Sequence, residues 1–256
     1  MIPIVTATDK RYLPGVRALY NSYKRHSAEG FSFHVMSYGD QALKVALEEM
    51  GLNVIHNHMI DAVFPKSERK YGHYRNDIES SAMYARLAVP DLFKEYRHSI
   101  FIDADSVILK NLQGLIEDFD EHPCAGTENW SSMSHDIVGY KVDMLSIQAA
   151  MIVFNHEWWF KKDIYNKCLD IMRTSTYTFD TVVQGVLQLV LKNDYYKYPF
   201  FHQVQGGHKT TPAKIEEAYL LHFAGTNPWE EFPAHLLPVA DYKLWTRKLW
   251  ASYLNE

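Results

Sequence analysis

The 256-residue chain predicts an α/β protein, a mostly parallel central sheet with flanking helices. Three observations carry this. Strand-like and helix-like patterns alternate from the second residue onward. The helical stretches carry their own start and stop signals. The apolar run SIFIDADSVIL (99–109) holds two carboxylates, which are costly to bury unless paired or bound to a metal, at a strand end, where ligands bind in an open parallel sheet.

The elements follow in order. IPIVTA (2–7) is a short β-branched strand, and the loop ATDKRYLPG leads into a helix over 16–27 with Val16, Leu19, Tyr20 and Tyr23 on one face. FSFHVMSYG (31–39) is a second strand. A helix over 40–51 follows, with Asp40 as N-cap and Gly51 as its stop. LNVIHNH (52–58) is a third strand. Residues 65–78 are polar and read as a loop, and SSAMYARLAVPDLF (80–93) is a helix stopped or kinked near Pro90. After the run at 99–109, NLQGLIEDF (111–119) is a short helix. Residues 123–147 lack periodicity and read as a loop-rich insertion. IQAAMIVFNHEWW (147–159) opens with a buried strand. Residues 161–174 and 181–192 are helical, 196–204 is strand-like, and 240–254 is an amphipathic helix. Crossovers between parallel strands are right-handed by default. With no repeat and no Gly/Ser-rich linker, 1–256 reads as a single domain.

Apolar residues at 47% and charged residues at 22% fit a globular enzyme. A formal charge of −5 argues against broad nucleic-acid binding. Two isolated cysteines, Cys124 and Cys168, argue against a zinc cluster or disulfide framework and suit a cytoplasmic setting. The start MIPIVTATDKRY has no signal-peptide pattern, and no apolar stretch approaches the roughly 20 residues of a spanning helix.

Asp103 and Asp105 are two apart in an extended segment, so both point to one side, with the small Ala104 turned away. Two hard oxygen ligands suit Mn²⁺ or Mg²⁺. Such a cation clamps diphosphates and neutralises charge on a departing phosphate. The ordinary structural reading is a turn cap at Asp103 and a loop salt bridge at Asp105. Phosphatases of the haloacid-dehalogenase type also end a strand in DxDx(T/V), with the first Asp as nucleophile. Their motif follows the first strand, whereas three strands precede it here.

Four pieces resemble the retaining family-eight glycosyltransferases, such as glycogenin and bacterial lipopolysaccharide galactosyltransferases. They are IVTATDKRYLPG at the start, the Tyr-x-Arg-Leu core of SSAMYARLAVPDLF, the DxD strand FIDADSVILKNL, and HFAGTNPW (222–229), which is similar to the family's HxxGxxKPW. Together they span roughly residues 1–230. The resemblance implies a GT-A fold, with 1–122 as its nucleotide-binding half and 123–256 as its acceptor-side half. It implies Mn²⁺ (or Mg²⁺) held by Asp103, Asp105 and His222, where a buried histidine bonded to backbone is the alternative for His222. Ala7, Thr8 and Asp9 then line the nucleotide pocket with Ala104, and Tyr12 stacks on the base or staples the following helix. Arg86 faces the donor and keeps the first DxD carboxylate ionised, or simply forms a salt bridge on the helix surface. Gly225 lets backbone approach the phosphates.

The chain departs from the pattern in three places. The family's diphosphate-binding Lys is Asn227 here, so either another cation replaces it, Arg75, Lys209 or Lys214, or the donor differs. Its Asn-Ala-Gly is Gln148-Ala149-Ala150, where Gln148 would bond a donor hydroxyl. Its Asp-Gln-Asp is Phe179-Asp180-Thr181, placing Asp180 near the anomeric carbon. Asp180 is then a nucleophile or a stabiliser of positive charge on the ring, or simply the N-cap of the following helix. The expected function is metal-dependent transfer of a hexose from a UDP-sugar to a hydroxyl of a glycan, lipid-linked or protein acceptor, with retention. The alternatives are a DxD phosphatase and a non-catalytic GT-A module that binds sugar nucleotides.

Overall fold

The computed structural model describes residues 1–38, 40–56, 59, 84–116, 119, 121–128, 135–137, 140–142, 147–174, 182–199, 203–205, 212–223, 227–230 and 240–255. Its first strand, β1 (Ile2–Thr8), runs into a 3-10 turn at Lys10–Tyr12 and then α1 (Leu13–His26). Pro14 in the first turn of α1 gives up no hydrogen bond, and Lys24, Arg25 and His26 in the last turn complement the helix dipole. Gly30 turns the chain at φ 81° into β2 (Phe31–Ser37). Asp40 caps α2 (Gln41–Glu49) by accepting from Leu43 N at 3.0 Å, and Gly51 at φ 75° ends that turn before β3 (Asn53–His56). Asp40 and Gly51 thus act where the sequence places them.

The Tyr-x-Arg-Leu segment forms α3 (Ala85–Leu92). Pro90 lies inside this helix, which continues two residues further instead of stopping there. Next come β4 (His98–Ile102) and β5 (Ser106–Ile108). The apolar run of 99–109 is therefore not one strand. The chain turns at 103–105, and β5 joins a different sheet. The helix expected over 111–119 is only a 3-10 turn, Leu112–Leu115, in which Asn111 accepts from Gln113 N at 2.8 Å. Gly114 and the competing cap work against a longer helix.

The segment expected to be loop-rich instead supplies β6 (Cys124–Thr127) and the hairpin β7 (His135–Ile137) and β8 (Tyr140–Val142). Four residues containing a glycine are too short for a visible period, and tertiary pairing makes them a strand. After β9 (Met151–Asn155), α4 (His156–Lys161) and α5 (Ile164–Thr174) replace the single helix expected over 161–174. The break is at Asp163, at φ 52°. Then follow α6 (Val182–Leu191), β10 (Tyr196–Tyr198), β11 (Gln203–Gln205), α7 (Pro212–Glu217), β12 (Leu220–His222) and α8 (Ala240–Leu254). The stretch 196–204 thus contributes to two sheets. The expected loop at 65–78 lies outside the described residues.

The seven-stranded sheet has the order β10-β6-β9-β4-β1-β2-β3. β1 pairs in parallel with β2 and β4, and β2 with β3, whereas β9 runs antiparallel to both β4 and β6. The order reverses at β1, with β2 on one side and β4 on the other. The carboxyl ends of β1 and β4 therefore flank the switch point where ligands bind in such sheets. Both faces are covered. Ile4, Ile100 and Val153 pack on one side, with Val16 and Leu19 of α1, while Val5, Phe101 and Ile152 pack on the other, with Leu187 of α6. That explains why these strands read as unbroken apolar runs.

At the far end of the sheet, buried Ser99 Oγ lies 2.7 Å from His156 Nε2. Burial, reinforced by the charge of His98, lowers the His156 pKa from 6.5 to about 4. The unfolded chain binds a proton at this residue between those values and the folded chain does not. Stability is therefore full above pH 6.5 and falls as pH drops toward 4, by roughly 2–3 kcal/mol from this group. His156→Gln should flatten the acid limb of Tm against pH. An unchanged acid limb would assign it to other groups.

Candidate metal and donor site

The two carboxylates and the imidazole are brought together by strand pairing across more than a hundred residues. Asp103 leaves the end of β4, and its N–H donates to Ala150 O at 2.8 Å, which ties the turn to the start of β9. Beyond the turn, β5 pairs antiparallel with β12, setting His222 opposite Ser106. Phe223 N–H donates to Asp105 O at 2.9 Å. Asp103, Asp105 and His222 each offer a ligand atom within 4.8 Å of the others, and His222 Nε2 lies 3.4 Å from Asp105 Oδ1.

Arg86 stands behind this group. Its Nη2 donates to Asp103 Oδ1 at 2.9 Å, Nη1 donates to the Ala149 carbonyl, and the guanidinium lies 4.8 Å from the Phe101 ring centre. The fork thus joins α3, β4 and β9 at one point. Burial raises the Asp103 carboxyl above its ordinary range and Asp105 adds to this, against Arg86 and His222. Burial acts to lower His222, but the carboxylates of Asp105 and Asp103 outweigh it and the imidazole sits above its usual value. Asp103, Asp105 and His222 offer two oxygens and, once the imidazole gives up its proton, one nitrogen, a donor set that fits a divalent cation.

The other expected residues are placed as follows. Ala7 and Thr8 end β1 beside β2, and Tyr38 N–H donates to Thr8 O at 2.8 Å. The Asp9 carboxylate accepts from Arg11 N at 2.8 Å and pairs with the Arg11 guanidinium at 2.8 Å, which engages it locally. Tyr12 meets the edge of Trp229 with ring centres 5.5 Å apart. Ala104 is buried between the two aspartates. Gln148 opens the β9 segment, its N–H donating to Thr127 O at 2.7 Å. Asn227 Nδ2 donates to Glu230 Oε1 at 2.7 Å. Asp180, Gly225, Arg75 and Lys209 lie outside the described residues, and Lys214 lies on α7.

Three residues of this neighbourhood had no site role assigned from sequence, although Gly15 and Trp229 fall within IVTATDKRYLPG and HFAGTNPW. Gly15 is one: a Cβ there would lie 2.5 Å from Ala104 O and 2.8 Å from the Trp229 ring. Trp229 and Arg247 are the others. Arg247 Nη1 donates to Glu230 O at 2.8 Å and Nη2 to Asn227 O at 3.0 Å. The glycine in the first turn of a helix and the tryptophan that closes HFAGTNPW are local signals, whereas Arg247 carries none.

Gly15→Ala therefore forces the Ala104 carbonyl or the helix to move. The expected result is a loss of about 1–3 kcal/mol of stability together with weaker Mn²⁺ binding. Thermal denaturation with and without Mn²⁺ checks it, and a variant as stable and as responsive as the unaltered protein would contradict it.

The family model for glycosyl transferase family 8 matches residues 3–232. The chain belongs to glycosyl transferase family 8. A curated relative, Glycosyltransferase GlyA of Streptococcus pneumoniae serotype 4, is 20% identical over 168 residues, 63% of this chain and 23% of that protein. The chain thus spans about a quarter of the length of that relative. Among solved structures, the apo bifunctional glycosyltransferase WbbM gives a TM-score of 0.73 at 17% identity, covering 99% of this chain and 49% of that one. The galactosyltransferase LgtC in complex with donor and acceptor sugar analogues gives 0.68 at 16% identity, covering 99% and 95%. GlyE of Streptococcus pneumoniae TIGR4 gives 0.63 at 20% identity, covering 100% and 63%. The expected GT-A fold is the fold of this family member. Among the described residues no helix is long and apolar enough to cross a membrane.

Proposed function

We propose that this chain transfers a hexose from a nucleotide diphosphate sugar, with UDP as the first candidate, to a hydroxyl acceptor of glycan, lipid-linked or protein type. The convergence of Asp103, Asp105 and His222 at the carboxyl end of β4 carries the reading. These three would hold Mn²⁺ (or Mg²⁺), which when bound neutralises charge on a departing diphosphate. Arg86 would hold Asp103 in its ligating orientation, and its charge opposes the rise that burial imposes on that carboxyl. Ala7, Thr8, Asp9 and Tyr12 would receive the nucleotide, with Ala104 and Gly225 at the phosphates and Gln148 at a donor hydroxyl. Asp180 belongs to the same proposal as the carboxylate near the anomeric carbon, and retention of configuration goes with it. In this reading 1–256 works as one unit, with 1–122 on the donor side and 123–256 on the acceptor side. A cytoplasmic setting is supported by Cys124 and Cys168, both free and buried.

One observation favours a second reading. Position 227 offers no positive charge, and its amide is bonded to Glu230. A module that binds sugar nucleotides without turning them over would tolerate this. Release of UDP from a panel of UDP-hexoses in Mn²⁺ separates the two. Turnover supports the transferase. Binding by calorimetry without turnover supports the module, and the absence of both rejects the donor site.

A further inference from the structure

The HFAGTNPW segment does more than supply His222. Its last residue, Trp229, packs onto Gly15, the same glycine that the Ala104 carbonyl approaches. The Trp229 ring and the Ala104 carbonyl both close on the bare Cα of Gly15, within 2.8 and 2.5 Å of where a Cβ would sit. Ala104 is the residue between the two carboxylates, so Trp229 and the backbone from which Asp103 and Asp105 project share one bare glycine as their seat. Tyr12 meets one side of that indole at 5.5 Å between ring centres, and Trp250 lies at 5.7 Å.

Trp250 comes from α8, and so does Arg247, one turn earlier on the same face. The Arg247 guanidinium donates to Glu230 O at 2.8 Å and to Asn227 O at 3.0 Å. These carbonyls bracket Trp229 on both sides in sequence, and Glu230 N–H donates back to Asn227 O at 3.1 Å, closing the turn. A planar guanidinium presents its N–H groups in a fixed fork that holds two carbonyls in one geometry, whereas an ammonium is a point charge on a flexible stem. The C-terminal helix therefore holds the 227–230 turn twice, by a charged clasp and by an aromatic contact.

We propose that Arg247 is a positioning residue for the cation site: it clasps the 227–230 turn, seats Trp229 on the glycine it shares with Ala104, and so sets the separation of the Asp103 and Asp105 carboxylates. The inference rests on reading Asp103, Asp105 and His222 as that site. It makes α8 part of the donor site without touching substrate.

The test is direct Mn²⁺ binding by the full chain, read from the electron paramagnetic resonance of free Mn²⁺, beside Tm for each protein. Arg247→Ala should weaken Mn²⁺ binding about tenfold, the lower end of what loss of a supporting contact costs a metal site. Arg247→Lys should recover part of that. The control is Tyr253→Phe on the same helix, which removes the hydroxyl lying 3.0 Å from His26 Nε2 and buried against α1. It should lower Tm and leave Mn²⁺ affinity unchanged. Should Arg247→Ala fail to fold, Arg247→Gln, which keeps length and one donor group, carries the same comparison. Unchanged affinity in the Arg247 variants, or an equal loss in Tyr253→Phe, overturns the proposal and leaves Arg247 as ordinary helix packing. No Mn²⁺ binding by the unaltered protein overturns the cation-site reading itself, a separate result.

Discussion

Asp103→Asn should cut the turnover of a UDP-hexose by on the order of a thousandfold while leaving the fold in place. Asn keeps the shape of the side chain but removes a charged oxygen from the donor set. A bound cation contributes several kcal/mol to stabilising a departing diphosphate, and a loss of about 4 kcal/mol corresponds to that factor. Stability should change little, because two effects oppose. Arg86 loses its carboxylate partner at 2.9 Å, while the crowding of Asp103 against Asp105 is relieved. Initial rates of UDP release in Mn²⁺, with Tm measured on the same samples, check both halves. Turnover equal to the unaltered protein would remove Asp103 from the chemistry.

Arg86→Ala should cost both turnover and stability, and this separates it from Asp103→Asn. The guanidinium is 8% exposed and serves Asp103, the Ala149 carbonyl and the Phe101 face together. Its removal leaves two adjacent carboxylates with only His222 for charge and leaves a cavity beside Phe101. Breaking one partner of a buried pair costs about 3 kcal/mol. For a chain of this size that lowers Tm by roughly 6–12 °C. Arg86→Lys keeps the charge but loses the fork, so it should fall between the two. The double variant Asp103→Asn with Arg86→Ala should lose less than the sum of the singles, since the two share one interaction. Additive losses would show that Arg86 acts through Ala149 and Phe101 alone.

Much of this fold was legible from local pattern. Asp40 and Gly51 bound a helix because a carboxylate cap and a left-handed glycine act within one turn of chain. The helix at 240–254 was visible for a similar reason, its signal lying wholly inside the segment. The DxD pair was legible because two carboxylates in an apolar run are anomalous on any fold. What failed was short or depended on partners. Cys124–Thr127 has four residues and no period, and it is a strand because β9 and β10 flank it. Residues 161–174 looked like part of one helix because the break at Asp163 is a single positive φ with no Gly or Pro to announce it.

The sequence by itself determined the α/β class, the caps, and the two acidic side chains that raise the question of a cation. The family resemblance pointed to His222 and Arg86, and only the tertiary structure decided how they converge on the pair. Strand pairing of β5 with β12 set His222 against Asp105, and the meeting of α3, β4 and β9 aimed Arg86 at Asp103. The return of α8 laid Arg247 on the carbonyls around Trp229. Local pattern encodes period and caps because those interactions span a few residues. A site assembled from positions far apart in the chain exists only once the chain has closed on itself, and no window of sequence contains it.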